Sequence, residues 1–134
     1  MIPEVGLKAL LTARATLAES RVFVDEIPPG ETASMSRKCI VIEPSGPSVL
    51  GGAFQEYGDG RYDIRCYGET PYEAARLQAQ VYQVMKHLQR ETHAGVLIHW
   101  ARRSGGPIPL RDPDTDWPFR FESYQVLIAE VEVV

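Results

Sequence analysis

The segment from Thr70 to Arg90 constrains the fold more than any other part of the chain. Thr70 is followed at once by Pro71, and Glu73 stands three residues after the threonine. A threonine oxygen can accept an orphan amide proton of a first helical turn, and a glutamate at that spacing can reach back to the cap. Proline suits the first helical position, where its missing donor would have had no partner. Ala74, Leu77, Val81, Val84, Met85 and Leu88 then recur at helical spacing, while Arg76, Gln80, Gln83 and Lys86 fall on the other side. The pattern predicts a helix to about Arg90, roughly 30 Å long, with one apolar stripe. Burying each large stripe residue is worth roughly 1.5–3 kcal/mol. Such a helix needs another layer to pack against.

The flanking residues read as that layer. In Arg61 to Tyr67, Tyr62, Ile64 and Cys66 alternate with Arg61, Asp63, Arg65 and Tyr67. In Val96 to Trp100, the residues Val96, Ile98 and Trp100 share one side. Arg120 to Val134 reads as a long closing strand. Phe121, Ser123, Gln125 and Leu127 lie on one face, and Tyr124, Val126, Ile128, Glu130 and Glu132 on the other. The glutamates suggest a solvated or interface-facing edge. Lys38 to Glu43 is nearly continuously apolar, as in a strand covered on both faces.

An N-terminal helix is predicted from Val5, Ala9, Leu10, Ala13 and Leu17, ending near Glu19 and Ser20. Arg21 to Ile27 then reads as a short extended segment, stopped by Pro28, Pro29 and Gly30. The order points to an α+β domain spanning residues 1–134. Its expected form is an antiparallel sheet of about four to five strands packed on two helices.

Two stretches break this pattern. Pro44 to Gly60 is rich in glycine and proline, with Ala53 to Tyr57 readable as extended and Gly58-Asp59-Gly60 as a turn. Ser104 to Phe119 carries Pro107, Pro109, Pro113 and Pro118. Both read as irregular arms, about 44–60 and 104–119, and long arms tend to be functional.

Composition excludes several classes. Net charge is −4, so there is no electrostatic drive to coat the chain with nucleic acid. No apolar run is long enough to span a bilayer, and Met1 to Lys8 lacks the pattern of a signal peptide. Cys39 and Cys66 sit in apolar, strand-like surroundings, which suits two buried free thiols.

No catalytic constellation emerges. His87, His93 and His99 are scattered and lack matched ligands for a metal. Asp112-Pro113-Asp114-Thr115-Asp116 resembles the opening of a calcium loop, but Trp117 replaces the glycine and Ser123 the bidentate glutamate, leaving a solvated acidic turn. The glycines between Gly46 and Gly60 are not followed by a phosphate-loop lysine, and no nucleophile elbow is present. Arg102-Arg103 is a lone basic pair of the kind found at solvated strand ends. No enzyme activity, metal or cofactor is expected.

Several segments together resemble the tail-terminator, or tail-completion, family of long-tailed bacteriophages. They are the N-terminal helix leading into Arg21 to Pro28, the strand and glycine-rich stretch from Cys39 to Gly46, the segment Arg61 to Leu77, and Gly106 to Phe119 ahead of the closing strand. The resemblance covers most of the chain in order, and Arg61 to Leu77 is its strongest part.

It implies a subunit of a homohexameric ring that caps the completed tail tube, ends tube growth and presents a surface for joining tail to head. Implied partners are copies of the same chain, the major tail tube protein and a head-completion (stopper) protein. DNA would pass through the lumen without sequence-specific binding, and no membrane is involved. The implied location is the head-proximal end of the tail in the virion, with assembly in the host cytoplasm.

The candidate contact residues are Tyr57, Trp117 and Phe119, because aromatics bury large areas at interfaces, with Asp112 and Asp116 of the acidic turn beside them. Trp117 and Phe119 could equally plug the core. Competing readings are a head-completion stopper or adaptor of the neck, a small α+β enzyme or ligand-binding domain, and a small cytosolic regulatory dimer.

Overall fold

A computed structural model describes residues 3–28, 38–47 and 57–130. Six strands form one sheet in the order β1-β2-β3-β6-β5-β4, with two helices on one face. The strands are β1 (Val22–Val24), β2 (Cys39–Pro47), β3 (Tyr57–Tyr67), β4 (Glu91–His93), β5 (Val96–Arg111) and β6 (Pro118–Glu130). The helices are α1 (Pro3–Arg14) and α2 (Pro71–Lys86). The sheet has more strands than expected, and it is mixed because β1 runs parallel to β2.

Helix α2 begins as its sequence dictates. Thr70 is extended, and its Oγ1 accepts the amide proton of Glu73 at 3.2 Å, with Pro71 at the start of the first turn. Ala74, Leu77, Val81 and Met85 are buried, with Leu88 beyond the helix end. Gln78 is buried within the same stripe. The helix stops at Lys86 rather than Arg90, because Arg90 adopts a left-handed φ of 43° as the chain turns into β4.

Helix α1 buries Leu10 as expected, and Leu17 beyond it packs against the core, but the rest of its buried stripe is rotated from the expected one. Leu7, Leu10 and Leu11 are fully buried, followed by Ala15 and Ala18, whereas Val5 is 43% exposed and Ala13 faces outward. Turning the helix to bury its leucines removes more apolar area than burying alanines would, and that difference decides the rotation. The regular helix ends at Arg14 and is followed by a 3-10 turn at Thr16–Ala18, which left-handed Glu19 and Ser20 then terminate. Gly6 lets this helix approach the β4–β5 hairpin closely: a Cβ there would stand 2.7 Å from Cβ of Val96.

Both sheet faces are covered around β2. Ile40 and Ile42 join the core beneath the helices, while Cys39 and Val41 pack on the far face with Tyr67, Trp117 and Phe119. Cys39 and Cys66 are buried free thiols.

The described parts of the two expected arms are largely strand. Pro44 to Pro47 continue β2, and Gly58, Asp59 and Gly60 lie within β3 opposite Ile128, Leu127 and Val126, so they form no turn. Of the extended reading of Ala53 to Tyr57, Ala53 to Glu56 fall outside the described residues, and Tyr57 opens β3. Residues 104–111 continue β5 against β6, and only Asp112 to Trp117 turn.

Proline does not break β5 because, among the described residues, the strand is an edge beyond Ile98. β4 covers only Val96, Leu97 and Ile98, so Pro107 and Pro109 can direct their donorless nitrogens away from β6. Gly106 supplies a φ of 82° where a Cβ would meet the Phe121 carbonyl oxygen at 2.4 Å.

The closing strand is not an edge. β6 lies between β3 and β5, and Tyr124, Val126 and Ile128 are core; nothing is described of the Glu130 side chain, and Glu132 lies outside the described residues. Trp100 also departs from its expected side. A bulge after Ile98 pairs Trp100 with Leu127 instead of a core-facing residue, so it no longer shares the face of Val96 and Ile98.

Candidate functional site

Two surfaces on the β5–β6 hairpin gather exposed apolar and charged side chains. The first is its tip. The amide of Asp112 donates to the Trp117 carbonyl at 2.9 Å, and that of Asp116 donates to the Asp112 carbonyl at 2.8 Å. Oδ1 of Asp112 accepts the amides of Asp114 and Thr115, at 2.9 and 3.2 Å. The aspartate thereby satisfies the turn it initiates. Oδ2 accepts the Tyr67 hydroxyl at 3.3 Å.

Partial burial alone would raise the Asp112 carboxyl. The two amides, the tyrosine hydroxyl and the nearby Arg65 outweigh it and hold the group below the usual aspartate range. Burial pushes the Tyr67 phenol up to about 12. Asp116 adopts a left-handed φ of 60° and points into solvent, with Arg111 at 3.7 Å.

Trp117 and Phe119 anchor this tip from within. Trp117 packs edge-on against Tyr67, with centroids 6.2 Å apart, and Phe119 lies 5.0 Å from the same ring. They are 5% and 8% exposed in the isolated chain. Beside them Ile108 and Leu110 remain 47% and 45% exposed, and an open, mainly apolar groove of about 410 Å³ runs between Pro71, Ala74, Leu110 and Phe119.

Four of the five candidate contact residues therefore gather at one end of the sheet. Tyr57 does not. Its backbone pairs with Ala129, ten positions along β3 from the Tyr67–Phe119 pair and roughly 33 Å away in extended chain. Nothing is described of its side chain.

The second surface lies where α2 ends against the middle of β5. Tyr82, Lys86, Ala101, Arg102, Arg103 and Tyr124 line an open groove of about 390 Å³. The Arg103 guanidinium sits 4.1 Å from the Tyr82 ring centroid, and Lys86 lies 5.8 Å from the same ring. Arg102 covers Trp100 at 4.7 Å. Beneath the groove, Glu122 is fully buried. It accepts Nε2 of Gln78 at 2.7 Å and the Tyr124 hydroxyl at 2.6 Å, while Arg103 approaches at 3.7 Å. Burial, followed by this carboxylate, drives the Tyr124 phenol far above its ordinary range.

Sequence reasoning missed this network, although two signals pointed to it. Alternation puts Glu122 on the face of Tyr124 and Val126, and helical spacing puts Gln78 between Ala74 and Val81. The Arg102-Arg103 pair lies within β5, not at a strand end, and α2 brings Lys86 to it.

The histidines are not brought together as a site. Nδ1 of His87 contacts the Gln83 carbonyl at 2.8 Å, and His93 lies 3.5 Å from Glu91. Among the described residues no cluster of three or more His, Cys, Asp or Glu is placed to hold a metal ion. No described helix is long and apolar enough to cross a membrane.

No family model and no curated protein matches the chain. Among solved structures, it is similar to a chain of the virion of a native gene transfer agent particle, with a TM-score of 0.58 and 12% identity. The match covers 93% of this chain and 91% of that one. At this identity the likeness is one of fold.

Proposed function

We propose that the chain is a structural subunit of a phage-like virion, and that it closes the head-proximal end of the tail tube as a homohexameric ring. The observation that carries this reading is the fold shared, over nearly the whole of both chains, with a component of a gene transfer agent virion. The segment order that resembles tail terminators points the same way. The arrangement of surfaces also suits a ring subunit: one hairpin presents an acidic turn and an apolar groove at its tip, and a basic groove further along.

In this role the protein acts by binding. The subunit contacts its neighbours in the ring, the last layer of the tube protein, and a head-completion protein on the opposite side. Ile108, Leu110, Asp112 and Asp116 are the candidate contacts of the tip, with Trp117 and Phe119 holding it in shape. Tyr57, at the other end of the sheet, is a candidate contact for a different partner. DNA passes through the lumen with no base-specific contacts.

Tube polymerisation in vitro tests the reading. Purified tail tube protein is allowed to elongate with and without the chain, and tube lengths are measured by electron microscopy. Added chain is expected to arrest elongation and to appear as a six-fold collar at tube ends. Unchanged tube length with bare ends overturns the proposal.

A further inference from the structure

The groove between the end of α2 and β5 concentrates positive charge on a chain whose net charge is −4. Lys86 and Arg103 share the Tyr82 ring, whereas the Arg102 guanidinium lies over Trp100 on the other face of the sheet. Glu122, the acid that compensates Arg103, lies underneath and fully buried. Among the described residues Lys86 contacts an aromatic ring and no carboxylate. Arg103 is fixed from two sides, by the ring and by Glu122, so little side-chain entropy is lost when it takes an anion. Among the described residues no strand lies outside β5 at this groove, because β4 pairs only with Val96, Leu97 and Ile98.

The same chain carries the complementary surface. Asp112, Asp114 and Asp116 fall within five residues at the hairpin tip, and the tip projects with Asp114 and Asp116 exposed. This turn cannot fill its own groove. Arg103 pairs with Tyr124 and Arg111 with Pro118, so eight residues of β5, roughly 26 Å of strand, separate the two. A second copy meets no such limit. Joining unlike patches head to tail generates closed rings when the rotation closes.

We infer that the groove lined by Tyr82, Lys86 and Arg103 receives the Asp112–Asp116 turn of a neighbouring copy. This inference rests on the ring reading and names its contact. Each subunit offers one turn and one groove, and the carboxylates of the incoming turn meet Lys86, which contacts no carboxylate among the described residues, and Arg103, whose acid Glu122 lies buried beneath it.

Charge reversal on the full-length chain tests it, read by native mass spectrometry and sedimentation velocity at low salt. Lys86→Glu and Asp114→Lys are each expected to weaken self-association at least about tenfold while keeping the wild-type far-ultraviolet circular dichroism. An equimolar mixture of the two variants is expected to recover rings of alternating composition, because both kinds of contact then join opposite charges. If Lys86→Glu does not fold, Lys86→Ser replaces it, with the same loss expected.

Association of both variants at wild-type strength, or no recovery on mixing, overturns the inference and leaves the ring intact. Wild-type association unchanged in Lys86→Glu, together with loss of salt-sensitive retention of double-stranded DNA, assigns the groove to phosphate and also overturns it. A wild-type chain that is monomeric both free and at tube ends removes the ring itself.

Discussion

The Tyr124 hydroxyl donates to Oε2 of Glu122 at 2.6 Å, linking two β6 residues that both face the helix layer. With Gln78 donating to the other carboxylate oxygen and Arg103 nearby, a buried acid becomes the floor of the basic groove. A buried charge with its hydrogen bonds made is tolerated, whereas removing one partner leaves the others unsatisfied. Glu122→Ala is therefore expected to destabilise the fold by about 3 kcal/mol in urea denaturation. Glu122→Gln, which keeps acceptor capacity, is expected to cost less. Equal stability of Glu122→Ala and wild type would contradict the network.

The cap of α2 gives a smaller and more local effect. Thr70→Ala removes the acceptor of the Glu73 amide and is expected to cost about 1 kcal/mol, read as a lower urea midpoint with unchanged slope. Thr70→Ser, which restores the oxygen, is expected to regain most of it.

The hairpin tip separates stability from assembly. Trp117→Ala opens the cluster around Tyr67 and is expected to cost about 3–5 kcal/mol in the isolated chain. Leu110 is 45% exposed, so Leu110→Lys should leave the melting temperature nearly unchanged. If the tip is a contact surface, the same variant assembles poorly. Normal collars built from folded Leu110→Lys would remove Leu110 from that surface.

Acid should loosen the molecule at two identified places. Asp112 is held below its ordinary 3.8 despite the opposing effect of burial, chiefly by the amides of Asp114 and Thr115. Glu91 is held below 4.5, first by its hydrogen bond to Arg14, which ties α1 to β4. A carboxyl depressed by folding contributes stability above its unfolded value and loses it as pH falls through the native value. Melting temperature should therefore decline as pH drops below the ordinary values of 3.8 and 4.5. The decline should be shallower in Asp112→Asn. Both carboxyls are only partly buried, with Glu91 24% and its partner Arg14 46% exposed, so the contributions are modest, and added salt should shrink that of the Arg14–Glu91 pair.

Local chemistry was the most legible part of the sequence. The Thr70 cap, the two-sided burial of Cys39 to Ile42 and the inward set of Tyr62, Ile64 and Cys66 each follow from neighbouring residues alone. Tertiary choices were not legible in the same way. The α1 stripe depended on which side chains repay burial best, and the side taken by Trp100 depended on a bulge set by pairing with β6. Gly58 to Gly60 and residues 104–111 carry turn-forming residues, yet pairing with β6 holds them extended. The closing segment suggested an edge, but β6 has β3 on one side and β5 on the other. The groove was hidden because it joins residues from α2, β5 and β6 that only the fold brings together.

Electron microscopy of particles from cells that lack only this polypeptide tests the central claim most directly. The account predicts filled heads without attached tails, alongside tubes of uncontrolled length, with both defects repaired when the chain is supplied again. Tails of normal length joined to full heads in its absence would contradict it.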